Sequence, residues 1–185
     1  MAIDFNNLNC TSCPALHLRD IERIKVVERM RTQALEKFGG KSARIILLCE
    51  STPAHGFVYD LNSNSNLRKG LKKEFVGDGC DQDLFIYLNN HHIWIVDCAL
   101  CPLHLLENNT AKREAATICL ERHNVMNLQD HSNAKLVTIF PAHRGFKKRD
   151  LPSIAQQVII NFPFSNLAGL KKFVESQRCN SSEDI

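Results

Sequence analysis

Four short apolar runs, separated by stretches with helical spacing, constrain most strongly what this 185-residue chain can fold into. The runs are Arg44–Cys49, His92–Val96, Ala134–Phe140 and Val158–Phe162. Each is too short for a buried helix, and Ile, Val and Leu dominate them, which is the pattern of a strand covered on both faces. Between Arg19 and Phe38 the apolar positions Ile21, Ile24, Val27, Met30, Ala34, Leu35 and Phe38 recur with helical period, and Gly39-Gly40 ends the pattern. Further helices are expected over Ser65–Phe75, briefly near Leu84–Leu88, from a Thr110 cap to about Arg122, from Asp150-Leu-Pro152, and over Leu167–Val174. Strands alternating with helices imply right-handed crossovers. The expected fold is therefore α/β, a three-layer α/β/α arrangement around a four-stranded, mostly parallel sheet.

A hydrophobic content of 44% with 23% charged residues suits a single domain with a real core. That domain is expected over residues 1–180, with 1–18 a cysteine-bearing N-terminal segment and 180–185 a disordered tail. No apolar run reaches the length of a membrane span. The opening residues Met1 to Asn7 lack a signal-peptide core. A cytoplasmic monomer without a membrane partner is expected. The net charge of +3 is only mildly basic. Local clusters at Arg68, Lys69, Lys72 and Lys73, at Lys147, Lys148 and Arg149, and at Lys171 and Lys172 read either as solvated helix faces or as a phosphate-binding footprint.

In parallel sheets of this kind ligands bind beyond the carboxyl ends of the strands. Those ends are Cys49-Glu50-Ser51-Thr52-Pro53, Asp97-Cys98, Phe140-Pro141-Ala142-His143 and Phe162-Pro163-Phe164-Ser165-Asn166. Polar residues and prolines concentrate there, and Glu50 is the leading candidate for chemistry. Ser51 and Thr52 lack the Gly-x-Ser-x-Gly setting of an activated serine. The chain also carries no Gly-x-Gly-x-x-Gly and no Walker loop, which disfavours dinucleotide and nucleoside-triphosphate enzymes. His91 and His92 read as strand-edge residues, His104 as part of a loop lining or, being close to Cys101, as a ligand, and His17 is ambiguous.

Eight cysteines without a secretory signal point to metal binding or buried thiols rather than to disulfides. The paired spacings Cys10-x-x-Cys13 and Cys98-x-x-Cys101 are of the kind seen at metal sites. Iron–sulfur and zinc chemistry both accept such a set. Cys49 and Cys119 also read as small apolar core residues.

The segment Ile45–Tyr59, with Cys49-Glu50-Ser51-Thr52-Pro53 and the aromatic pair Phe57 and Tyr59, resembles the first strand-end motif of the uracil-DNA glycosylase superfamily. Phe162–Asn166 stands where that superfamily's last strand carries a His-Pro-Ser-like motif. The likeness spans about residues 40 to 175, through the order of elements more than through identical residues. It implies hydrolysis of the N-glycosidic bond of a damaged or deaminated base in DNA, with the base extruded into a pocket. By position it implies Glu50 as the catalytic carboxylate, with Phe57, Tyr59, Pro53, Ser165 and Asn166 around the base. A phenylalanine replaces the motif histidine, so His143 is the substitute donor, and the base-reading asparagine has no counterpart. The cysteines are similar to those of the iron–sulfur members, which implies a [4Fe-4S] cluster on Cys10, Cys13, Cys101 and Cys119, with zinc as the alternative and Cys98 competing with Cys101. Two other functions stay open: a non-catalytic nucleic-acid-binding member of this fold, and a metal or redox protein unrelated to DNA.

Overall fold

The first apolar run becomes strand β1, Ile45–Ser51, in which Ile46, Leu47 and Leu48 are wholly shielded from solvent. A computed structural model describes this strand within residues 10–37, 43–121, 134–139, 160–162 and 166–179. Strands β2, Ile93–Ala99, and β3, Lys135–Ile139, flank β1 on opposite sides, both parallel to it. The register sets Cys49 between Asp97 and Ile139, so the three carboxyl ends finish in one row. Ile160–Asn161, here β4, pairs in parallel with β3, giving the order β2-β1-β3-β4. The chain steps from β1 to β2 on one side and reaches β3 on the other. The winding direction therefore reverses between β1 and β3, where parallel sheets open a binding crevice.

The α/β class and the parallel strands agree with the sequence pattern, and the fourth run is described over two strand residues. The helices are α1, Ile21–Lys37; α2, Asn66–Val76; α3, Asp81–Asn90; α4, Asn109–Cys119; and α5, Leu170–Cys179. Their starts follow local capping chemistry. The Ser65 hydroxyl accepts from the Arg68 N–H at 3.2 Å, and Asp20 Oδ1 accepts from the Arg23 N–H at 3.0 Å. The cap of α4 lies two residues earlier than expected, at Asn108, whose Oδ1 accepts from the Thr110 N–H at 2.7 Å. Helix α3 is a full ten residues rather than a short stretch. Its polar opening, Asp81-Gln82-Asp83, reads as loop in sequence, yet acids in a first turn favour the helix dipole. Helix α5 starts late, after Gly169 takes a φ of +88°. The expected helix from Asp150, the segment 1–9 and the tail from Asn180 lie outside the described residues.

Alternation along the strands divides the core into two apolar layers. Ile46, Leu48, Val96, Cys98 and Leu136 meet Ala115 and Ala116 of α4 together with Ala15 and Leu103. Ile45, Leu47, Cys49, Ile95 and Val137 meet Leu71 and Phe75 of α2, Leu84 and Leu88 of α3, and Leu170 and Val174 of α5. Helix α1 contributes Ile24 to the first layer and Val27 to the second.

The loop between β1 and α2 is tied down by one buried arginine. Arg68 donates to the carbonyls of Phe57, Val58 and Asp60 at 3.3, 3.2 and 2.6 Å, and also to the carbonyl of Ser63. Its Nε donates to Asp81 Oδ2 at 2.6 Å, linking the loop to α3. Gly56 completes the packing, with a φ of +75° and the Asn64 carbonyl oxygen pressed against where a Cβ would sit. Replacing Arg68 with alanine leaves several carbonyls without their donor. We expect Arg68→Ala to cost about 3 kcal/mol, since unsatisfied buried acceptors are expensive. Urea unfolding checks this: a loss below about 0.5 kcal/mol, the range of ordinary surface substitutions, would mean that the loop holds itself.

Candidate functional site

At the carboxyl ends of the strands the chain encloses a cavity of about 420 Å³. Strand β1 supplies Cys49, Glu50 and Ser51 to its wall, β2 supplies Asp97 and β3 supplies Ile139. The loop after β1 adds Pro53, His55 and Phe57, the start of α2 adds Asn66, and the loop after β2 adds His104. Apolar walls with a few converging polar groups are the usual make-up of a small-molecule site, and the volume is in the usual range.

Asp97 is a buried carboxyl of the lining, and the Thr52 hydroxyl donates to its Oδ2 at 3.0 Å. The same hydroxyl lies 3.3 Å from the Ala99 carbonyl, while the Thr52 N–H donates to that carbonyl at 2.9 Å. Burial pushes the Asp97 carboxyl above its ordinary value, against the opposing pull of Arg31, the Thr52 hydroxyl and Arg23. A second carboxyl nearby, Glu28 of α1, is pushed in the same direction by burial, opposed mainly by its ion pair with Arg31.

Of the residues expected from sequence, Glu50, Pro53 and Phe57 come together at this cavity. Tyr59 is placed elsewhere. Its hydroxyl accepts from the Ile95 N–H at 3.0 Å and donates to the Ile95 carbonyl at 3.2 Å. Among the described residues strand β2 is an edge of the sheet, so the hydroxyl occupies positions that a further strand would take. The Tyr59 ring stacks on Phe85 at 5.8 Å and meets Phe57 edge-on at 5.5 Å, so it backs the cavity wall instead of forming it. Asn166 is exposed and caps the turn before α5, its Oδ1 accepting from the Ala168 N–H at 3.1 Å. His143 and Ser165 lie outside the described residues. Sequence reasoning gave no role to Asp97 or His55, and for His104 it weighed a loop-lining place against a ligand's. The signal for Asp97 was its place at a strand's carboxyl end.

A second, much smaller cavity of about 20 Å³ is lined by Cys10, Cys13, Cys101 and Cys119. The Cys13 N–H donates to the Cys10 carbonyl at 2.8 Å, so a tight turn sets the first two thiols side by side. The Leu100 N–H reaches Cys119 Sγ at 3.4 Å. Burial, reinforced by the neighbouring thiols, pushes Cys101 up to about 11 and Cys119 up to about 12. Cys98 is fully buried in the α4 layer and does not line this cavity, which favours Cys101 as the third member of the set. None of Cys10, Cys13, Cys49, Cys80, Cys98, Cys101 and Cys119 is in a disulfide. Four sulfurs on one void are the donor set for a thiolate-bound iron cluster or zinc. Among the described residues, however, no group of three or more His, Cys, Asp or Glu is drawn together closely enough to hold an ion as it stands. The donor chemistry fits such a group, and the arrangement goes no further than that.

Comparison with protein-family models, with curated proteins and with solved structures finds no match for this chain.

The burial of Asp97 has a measurable effect on stability. A carboxyl raised on folding keeps a proton that the unfolded chain has released, so its contribution is full below the unfolded value and disappears as pH rises through the folded one. Asp97→Asn does not titrate and keeps an acceptor for Thr52. We expect the wild-type melting temperature to fall more than that of the variant as pH rises from about 4 towards neutrality, with Glu28 contributing the same sign to both proteins. Parallel melting curves would mean that Asp97 titrates alike in the folded and unfolded chains.

Proposed function

We propose that the cavity at the carboxyl ends of β1 and β2 is the base pocket of a uracil-DNA glycosylase-like protein, one that hydrolyses the N-glycosidic bond of a damaged or deaminated base in DNA. One observation carries the reading: Glu50, Pro53 and Phe57, all from the strand-end segment that resembles the superfamily's first motif, line a single cavity beside the sheet's reversal point. The finer fold belongs to the same proposal, with Ile160–Asn161 as the centre of a fourth strand in a three-layer α/β/α domain.

A base extruded from the duplex enters the cavity and lies against the Phe57 side of the wall, where an aromatic face accepts any base. The bond from the sugar C1′ to the base nitrogen breaks, and its electron pair leaves with the base. The sugar becomes oxocarbenium-like, and the Glu50 carboxylate stabilises that charge while it orients a water molecule. The water oxygen bonds to C1′, and its proton passes to Glu50 and then to solvent or to the departed base. Basic residues along α2, among them the exposed Lys69 and Lys73, lie on the helix that opens at the cavity wall and suit contact with phosphate.

The four thiols support a second element of the proposal, a cluster or zinc ion held by Cys10, Cys13, Cys101 and Cys119. When bound, such a group links the N-terminal segment to the loop after β2 and to α4, and adds binding energy to the folded state.

Two experiments test these readings. DNA duplexes carrying single uracil, hypoxanthine or mismatched bases are incubated with the protein, and strand breaks are scored after alkali. We expect cleavage on one of them, and a loss of about 10²–10⁴-fold in Glu50→Gln. Salt-sensitive binding without any cleavage would mark a non-catalytic member of the fold. Separately, protein purified without oxygen should be brown and hold about four irons per chain, or colourless with about one zinc. Protein with neither metal would leave the four thiols as small packing residues.

A further inference from the structure

The resemblance leaves one chemical role unfilled. A base that departs as an anion needs a hydrogen-bond donor, and a phenylalanine stands where the superfamily's last motif has histidine. Two histidines of the described residues line the cavity, His55 and His104. They differ in the wall that carries them. His55 is on the same loop as Glu50, five residues further along, whereas His104 comes from the loop after β2.

Three features hold His104 in place. It is the middle residue of a single 3₁₀ turn, Leu103–Leu105, preceded by Pro102. The Leu103 side chain beside it is completely buried in the α4 layer, which anchors the turn to the core. The Leu103 N–H donates at 3.2 Å to the Ser51 hydroxyl, the residue next to Glu50. The turn is closed by the Leu105 N–H on the Pro102 carbonyl at 3.0 Å and the Leu106 N–H on the Leu103 carbonyl at 3.0 Å. The exposed imidazole is therefore fixed by its backbone to the strand end that carries the carboxylate, and it reaches the cavity from a different element. A donor and a carboxylate on separate walls can act on opposite ends of one breaking bond, which a pair on one loop does less readily.

We infer that His104 is the leaving-group donor, a catalytic residue whose ring N–H hydrogen-bonds the base as the electron pair of the C1′–N bond collapses onto it. This rests on the glycosylase reading of the cavity. No redox partner is involved: water supplies the hydroxyl at C1′ and the proton that finally neutralises the base.

The test compares single-turnover base release from duplexes carrying deoxyuridine and 5-fluorodeoxyuridine, for wild type, His104→Ala, His55→Ala and Glu50→Gln. The fluorinated base is the better leaving group and depends less on a donor. His104→Ala should lower release of uracil by about 10²–10³-fold, as removal of one donor to a developing anion does. It should lower kcat and kcat/KM together, and the defect should shrink clearly with 5-fluorouracil. A defect equal for both bases would mean a merely structural role, and a rate like wild type would mean none; either overturns the assignment. The same leaving-group-dependent loss in His55→Ala in place of His104→Ala would move the donor to His55 and also overturn it. In each of those cases a dead Glu50→Gln variant leaves the glycosylase reading intact. If wild type releases neither base nor any other tested, the reading falls and the donor role with it.

Discussion

Strand β1 has a packed layer on each face and a parallel neighbour at each edge, and the remaining architecture follows from that. Backbone groups in such a position find partners only within the sheet, so β2 and β3 must pair with it on both sides. Its odd and even side chains demand separate apolar covers, which α4 provides on one face and α2, α3 and α5 on the other. Only at the carboxyl end does this enclosure open. There the first charged side chain of the strand, Glu50, meets a cavity beside the point where the winding reverses.

Two devices keep the opening in shape. Arg68 gathers four backbone carbonyls of the loop after β1 and ties them to α3 through Asp81. Tyr59 is the other. It supplies one hydroxyl to both polar groups of Ile95 on the edge strand, and its ring supports Phe57 from behind. A wall built this way is stiff, and stiffness is what the proposed base pocket calls for.

The sequence was informative where burial sets a strong period. The runs of β1, β2 and β3 and the long α1 pattern were readable to within a few residues, since a strand shielded on both faces leaves an uninterrupted apolar signature. Helix α3 was underread because its first turn is polar, and the α4 start was displaced because Asn108, not Thr110, accepts the cap hydrogen bond. Among site residues, Glu50, Pro53 and Phe57 were legible because they stand in one continuous segment. Tyr59 was not, since nothing in its neighbours reveals that β2 is an edge in need of a hydroxyl. His104 and Asp97 reach the cavity through a parallel pairing between segments about 45 residues apart, a relation that only the folded sheet supplies.

The loop that leaves β2 belongs to both cavities. Cys101 faces the thiols and His104 faces the larger cavity, with Pro102 and the buried Leu103 between them. Three residue steps span at most roughly 10 Å of chain, and a proline with a core leucine leaves little slack. A substitution that shifts this loop for the sake of one cavity displaces the wall of the other. The two cavities are therefore mechanically one unit: a change of side chain at Cys101 is felt at His104, and the reverse, through a loop too short to absorb it.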